Sequence, residues 1–156
     1  MSSVPPIREG FNTLSPHITV EGAKAAIEFY EKAFGATLSW CHGMPGSELI
    51  MNAGLRIGNS SFMLNDVCPG GPPAPAEGGA PVTLNLYVED ADAVWAKAIE
   101  AGATVVYPIE DAFWGDRYGL LKDPFGHQWA IATHKEDVSE EELAARSASL
   151  FSQDQG

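Results

Sequence analysis

The sequence predicts an α+β protein in which two βαβββ modules curl a mixed sheet around a cleft. Three observations predict it. First, the chain repeats: Val20-Glu21 returns as Val88-Glu89 and Gly58 as Gly126, both 68 positions on, while Gly35-Ala36-Thr37 returns as Gly102-Ala103-Thr104 after 67. Second, each copy runs from a strand candidate through an amphipathic helix candidate into three further strand candidates. Third, the Pro/Gly/Ala-rich stretch 69–81 separates the copies, and such a stretch can neither continue a helix nor sit in a central strand. The chain therefore divides into a lead (1–12), a first module (13–68), a linker (69–81), a second module (82–133) and an acidic helical tail (134–156).

The opening strand candidate, 14–20, alternates. Leu14, Pro16, Ile18 and Val20 share one face, and Thr13, Ser15, His17 and Thr19 the other. Ala26, Ile27, Tyr30, Ala33 and Phe34 then form one apolar stripe on a helix over 23–34, which Gly35 can stop by entering the left-handed region. Strands over 37–42, 48–57 and 60–65 complete the first unit. In the second unit Val82, Leu84, Leu86 and Val88 oppose Thr83, Asn85 and Tyr87. A helix over 91–101 carries Val94, Trp95, Ala98, Ile99 and Ala101, and strands follow over 104–109, 118–122 and 128–133. Placing Trp129 and Ile131 beneath the helix leaves Gln128, Ala130 and Ala132 on the opposite face. An offset of 68 then puts Phe62 in the place of Ala130 and His17 in that of Asn85. The face away from the helices is polar and aromatic. It suits a ligand cleft, or it lies against solvent as one face of an antiparallel sheet can. In the tail, Ser139 and Glu142 read as an N-cap with its capping box for a helix over 140–151, whose Leu150 and Phe151 suggest docking on the body or on a partner.

Composition removes several functions. Nine Lys plus Arg against twenty-one Asp plus Glu give a formal charge of −12, of which −8 lies on residues 1–133. Such a surface does not attract a phosphate backbone, so no nucleic-acid partner is expected, whereas a cationic ligand would be steered toward it. No apolar stretch approaches the ~20 residues of a membrane span, so no membrane partner is expected. The first residues lack the pattern of a secretory signal. Cys41 and Cys68 form neither a disulfide framework nor a CxxC pair, and a reducing, cytoplasmic location is expected.

Specific words sharpen the picture. Ile27-Glu28-Phe29-Tyr30 before Phe34-Gly35-Ala36, and Asp123-Pro124-Phe125-Gly126 leading into the last strand, are similar to motifs of the vicinal oxygen chelate superfamily of glyoxalases, bleomycin-resistance proteins and dioxygenases. Phe113-Trp114-Gly115-Asp116-Arg117, Leu121 to His127, the exit Ile131 to His134 and the acidic run after it resemble its PhnB-like branch. The resemblance covers residues 8–150 and implies a homodimer. It also implies a test. Metal-using members place one ligand on the first and one on the last strand of each module, and the bound divalent ion stabilises an enolate or oxyanion. Here those positions map to His17, Phe62, Asn85 and Ala130, of which only His17 is a competent ligand. A His-Ala-Glu run frequent in the nearer branch reads Asn52-Ala53-Gly54. No cofactor is expected on this reading.

Two functions remain, and whether the protein is an enzyme stays open. One is a metal-free protein that binds a small cationic or aromatic molecule through His17, Asn52, Phe62, Asn85, Tyr87, Trp114 and Gln128. The other is a glyoxalase- or lyase-like metalloenzyme with rearranged ligands, His17 with Glu48 or with a partner's donors. His17 could contact ligand or act as a weak general base, or it could be bonded to a neighbour or water. Trp114 offers an indole platform to a flat or cationic group. Arg117 reads as tied to Asp116, Asp111 or Asp123, and His127 as structural. No nucleophile constellation and no phosphate-binding loop is present.

Overall fold

The computed structural model describes residues 4–153, the side chains of 151–153 excepted. The first module comprises β1 (His17–Val20), α1 (Ala23–Phe34), β2 (Thr37–Gly43), β3 (Ile50–Ile57) and β4 (Ser60–Asp66). The second comprises β5 (Thr83–Tyr87), α2 (Ala91–Ala101), β6 (Thr104–Asp111), β7 (Asp116–Lys122) and β8 (Gln128–His134), and α3 (Glu140–Gln153) follows. Each module is a mixed four-stranded sheet, ordered β1-β4-β3-β2 and β5-β8-β7-β6, with the first strand parallel to the last. The two sheets do not join into one closed surface. This is the α+β architecture that the repeat predicts.

Both helices begin and end at the residues their stripes and glycines mark. Their starts use one device twice. Asp66 Oδ1, at the end of β4, accepts the N–H groups of Gly22 and Ala23 at 3.0 and 2.8 Å. Thr133 Oγ1, at the same place in β8, accepts that of Ala91 at 2.9 Å. These are orphan donors that a helix start must satisfy. The opening strand is shorter than the alternation predicts. Pro16 has no N–H to give a ladder, and Ser15 bonds Asn12 instead, so Leu14 lies outside the sheet and is 89% exposed.

The core joins the modules. Phe29, Tyr30 and Phe34 of α1 meet Phe62, Phe125 and Trp129, with the Phe34 and Trp129 rings 4.6 Å apart. At its centre the buried Asp123 accepts four donors. Oδ2 takes the Tyr30 hydroxyl at 2.6 Å and Trp129 Nε1 at 2.9 Å, and Oδ1 takes the N–H groups of Phe125 and His127, both at 2.9 Å. Burial first, and then the Asp123 charge, push the Tyr30 phenol well above its ordinary value. The two motif words are thus bonded to each other across the module boundary. His127 adds a second tie through Nε2 to the Thr19 carbonyl at 2.9 Å.

Phe62 corrects the sequence reading. The ladders pair His17 with Met63 and Asn85 with Ala130, so the residue standing where Ala130 stands is Met63. The offset is 68 in the first strands and 67 in the last. A slip of one residue turns a side chain to the opposite face of a sheet, and Phe62 accordingly packs beneath α1 with Trp129. Arg117 keeps one of its three expected partners, Asp111, and gains another. It holds Asp92 of α2 at 3.0 Å and Asp111 at 3.5 Å, and neither Asp116 nor Asp123. Leu150 is exposed, and the Phe151 side chain lies outside the described residues. The tail docks instead through Arg146, which bonds the Phe113 carbonyl and Glu136.

On the first sheet's open face the Trp40 ring lies flat against Gly54, where an added Cβ would come within 2.5 Å of it. Gly54→Ala is expected to expel the ring and cost about 1–3 kcal/mol. Urea unfolding followed by tryptophan emission measures this, with Gly58→Ala no substitute as a control because Gly58 holds a positive φ.

Candidate functional site

With register settled, the residues facing away from the helices can be matched between modules. His17, Thr19, Asn52, Gly54, Ser61, Met63 and Asn65 share the first face. Asn85, Tyr87, Tyr118, Leu120, Gln128, Ala130 and Ala132 share the second. The two faces are differently furnished.

The first is occupied by its own hydrogen bonds. His17 Nε2 lies 2.7 Å from Asn65 Oδ1, and Asn65 Nδ2 donates to the Asp66 carbonyl at 2.7 Å. Because the amide nitrogen is spent on a carbonyl, Oδ1 accepts and His17 donates from Nε2, leaving its lone pair at Nδ1. Asn52 Oδ1 accepts Trp40 Nε1 at 2.6 Å. Both predicted residues are therefore bonded within the module.

The second face carries a cup of aromatic side chains over a carboxylate. Asp116 is 4% exposed. Its Oδ2 accepts Trp114 Nε1 at 3.1 Å and the Tyr87 hydroxyl at 3.3 Å, and its Oδ1 pairs with His134 Nδ1 at 2.7 Å. Tyr118 stands against Trp114 with ring centroids 5.1 Å apart. Burial and the neighbouring Tyr107 and Tyr87 phenols push the Tyr118 hydroxyl up. Ala130, Ala132 and Leu120 share that face and are buried. Tyr87 is 62% and Trp114 38% exposed, so the walls remain open. A groove of about 1010 Å³ runs past Tyr87 alone of these aromatic walls, lined by Asn85, Tyr87, Glu89, Asp90 and His134 among others. Gln128 sits at the far end of β8, 3.3 Å from Thr83 Oγ1.

The loop that presents Trp114 and Asp116 is locked from behind. The Gly115 carbonyl accepts the N–H groups of Lys135 and Glu136 at 2.9 and 3.0 Å. Gly115 holds φ +103°, and a Cβ there would run into the Glu136 carbonyl. The tail thereby sets the cup's geometry.

The structure brings Tyr87 and Trp114 together on one carboxylate and places Asn85 beside them. It does not bring them to His17. His17 lines a separate groove of about 540 Å³ beneath linker residues 72–76 and 79–81. Sequence reasoning missed Asp116, Tyr107, Tyr118 and His134. A signal existed for two of them, since Tyr118 and Asp116 share the parity of Leu120 along one strand.

The donor set does not fit a metal. The four register-matched positions hold His17, Met63, Asn85 and Ala130. Among the described residues no group of three or more His, Cys, Asp or Glu side chains is placed to hold an ion. Met44 and Leu49 close the hairpin between β2 and β3, leaving His42 and Glu48 exposed on it.

His134 makes the cup pH-dependent. Asp137 first and Asp116 second raise its pKa above the usual 6.5, and each of its ring nitrogens faces a carboxylate. A raised folded pKa contributes stability that is fully present below the unfolded value near 6.5 and lost as pH rises through the folded value. The Tm gap between the wild type and His134→Asn should be widest near pH 6 and shrink toward pH 9. A gap independent of pH would contradict the pairing.

Comparisons agree with the fold. A family model described as Glyoxalase/Bleomycin resistance protein/Dioxygenase superfamily matches residues 11–131. An uncharacterized protein of Mycobacterium bovis is 45% identical over 141 residues, covering 87% of this chain and 92% of that one. The crystal structure of an Arabidopsis thaliana gene product is 34% identical, with a TM-score of 0.63 over 80% of this chain and 99% of that chain. A Bacillus cereus structure described as a putative 3-demethylubiquinone-9 3-methyltransferase, PhnB protein, is 15% identical and shares the fold, with a TM-score of 0.60 over 78% and 99%.

Proposed function

The chain belongs to the glyoxalase/bleomycin resistance protein/dioxygenase superfamily, and from that membership and the cup we propose that it binds a small cationic aromatic molecule on the second module's open face, without a metal. One observation carries the reading. Tyr87 and Trp114 converge on the buried Asp116, with Tyr118 against the indole. Aromatic faces attract a cation through their quadrupole, and Glu89 and Asp90 along the adjoining groove add the same sign of attraction. The exposed ring faces of Tyr87 and Trp114 take the ligand's hydrocarbon part. On this reading the protein sequesters the ligand rather than altering it.

Cys41 and Cys68 are both free, which supports a reducing compartment. Among the described residues no helix is long and apolar enough to cross a membrane. A homodimer fits the same reading, because β2 and β6 each leave an edge unpaired and exposed edges need covering. Sedimentation velocity checks this, with a species of twice the chain mass expected.

The functional test compares charge at constant shape. Calorimetry with phenyltrimethylammonium should show saturable binding, and the neutral tert-butylbenzene should bind at least tenfold more weakly. Equal affinities, or no heat from either, would overturn the proposal.

A further inference from the structure

We propose that residues 8–11 are a displaceable strap over the first module's open face, with Arg8 holding the place of a ligand's cation, so that this face is a second site for aromatic guanidinium or quaternary ammonium compounds. The inference rests on the reading given for the second module and extends it to the first.

The ladders match the two faces residue by residue. Asn52 stands where Tyr118 stands, and Met63 where Ala130 stands. Trp40, three residues past Thr37, corresponds to Tyr107, three past Thr104, within the repeated Gly-Ala-Thr segments. The first face therefore has its own aromatic wall, and the wall is fixed. Trp40 Nε1 is bonded to Asn52, and the ring lies against the bare backbone of Gly54.

A cation is already on that wall. Arg8 Cζ lies 4.6 Å from the Trp40 ring centroid. Phe11 packs against the same indole with centroids 5.6 Å apart, and its N–H bonds the Arg8 carbonyl at 3.0 Å. The strap lies close over the sheet at Gly10, where a Cβ would come 3.3 Å from Arg56 Nη1 and 3.4 Å from Ser61 Oγ.

The strap is lightly held. Residues 8 and 9 are exposed and residues 10 and 11 half-buried, and no described ion pair involves Arg8. A guanidinium left without a carboxylate, resting on an indole, makes the same contact that a guanidinium ligand would make. Beneath the strap the buried Ser61 hydroxyl is placed to meet a ligand's polar end. A displaceable side chain on that surface competes with any such ligand by mass action.

Indole N–H cross-peaks read the two sites separately, because Trp40 and Trp114 lie on different modules. The wild type and an Arg8→Ala/Phe11→Ala variant are each titrated with phenylguanidine. In the wild type the Trp114 peak should move and the Trp40 peak should respond only at far higher probe concentration. In the variant both should move, with the Trp40 midpoint at least fivefold lower than in the wild type. An unchanged Trp40 midpoint with a responsive Trp114 overturns the strap alone. A responsive Trp40 in the variant with an inert Trp114 sustains the strap and overturns the second-module reading. Silence at both overturns both.

Discussion

Asp123→Ala is expected to be the most damaging single substitution in the chain, costing roughly 3–5 kcal/mol. The carboxylate is 3% exposed and accepts four donors. Two of them, the Tyr30 hydroxyl and Trp129 Nε1, belong to side chains buried in the aromatic core. Alanine would leave both without a partner, and each unsatisfied buried group costs about 1–3 kcal/mol. Against a total stability of about 5–15 kcal/mol this is a large fraction, and Tm should fall by roughly 10 °C or more. Tyr30→Phe makes the assignment specific. It removes one donor and leaves the acceptor with three, so its loss should be near 1 kcal/mol. Chemical denaturation of the two variants checks the order. A negligible loss in Tyr30→Phe beside a large one in Asp123→Ala would show that Asp123 acts through its local turn alone and not as the clamp between modules.

Trp114→Ala carries the largest expected effect on binding. A central aromatic anchor is worth about 2 kcal/mol or more when truncated, so the affinity for phenyltrimethylammonium should fall about thirtyfold. The indole does two things that can be separated. It presents a face to the cation, and its Nε1 donates to Asp116. Trp114→Phe keeps a face and removes the donor, and it should retain most of the affinity if the face dominates. Stability should fall by about 1 kcal/mol in either variant, since the buried Asp116 loses one of its three partners. Calorimetry on both, with circular dichroism as the check on folding, measures this. An unchanged affinity in Trp114→Ala would place the ligand elsewhere.

The repeat, both helices and the succession of strands along each module were legible because their signals are local. Gly35 and Gly102 stop the helices at the places the apolar stripes run out. The polar face was legible only up to parity. The repeat shortens from 68 to 67 between its first and last strands, and because side chains alternate, that one residue carried Phe62 to the wrong face. Irregular pairing in β6 between Val105 and Tyr107 hid Tyr107 in the same way. Asp116 was read as one of three companions for Arg117, yet it turns inward to Tyr87, Trp114 and His134 while Arg117 turns to Asp92 of α2 and to Asp111. The Tyr30–Asp123 bond spans 93 positions. Both residues stood out as motif letters, but nothing in a single sequence states that one letter bonds the other.

The central claim is that the cup binds through aromatic faces and charge, without a metal ion. The most direct test is a pair of titrations with phenyltrimethylammonium. One uses protein treated with chelator, and the other the same protein after incubation with zinc, nickel and manganese. The account predicts saturable binding of equal affinity in both. Binding that appears only in the metal-loaded sample would contradict it and return the search to donors gathered around His17.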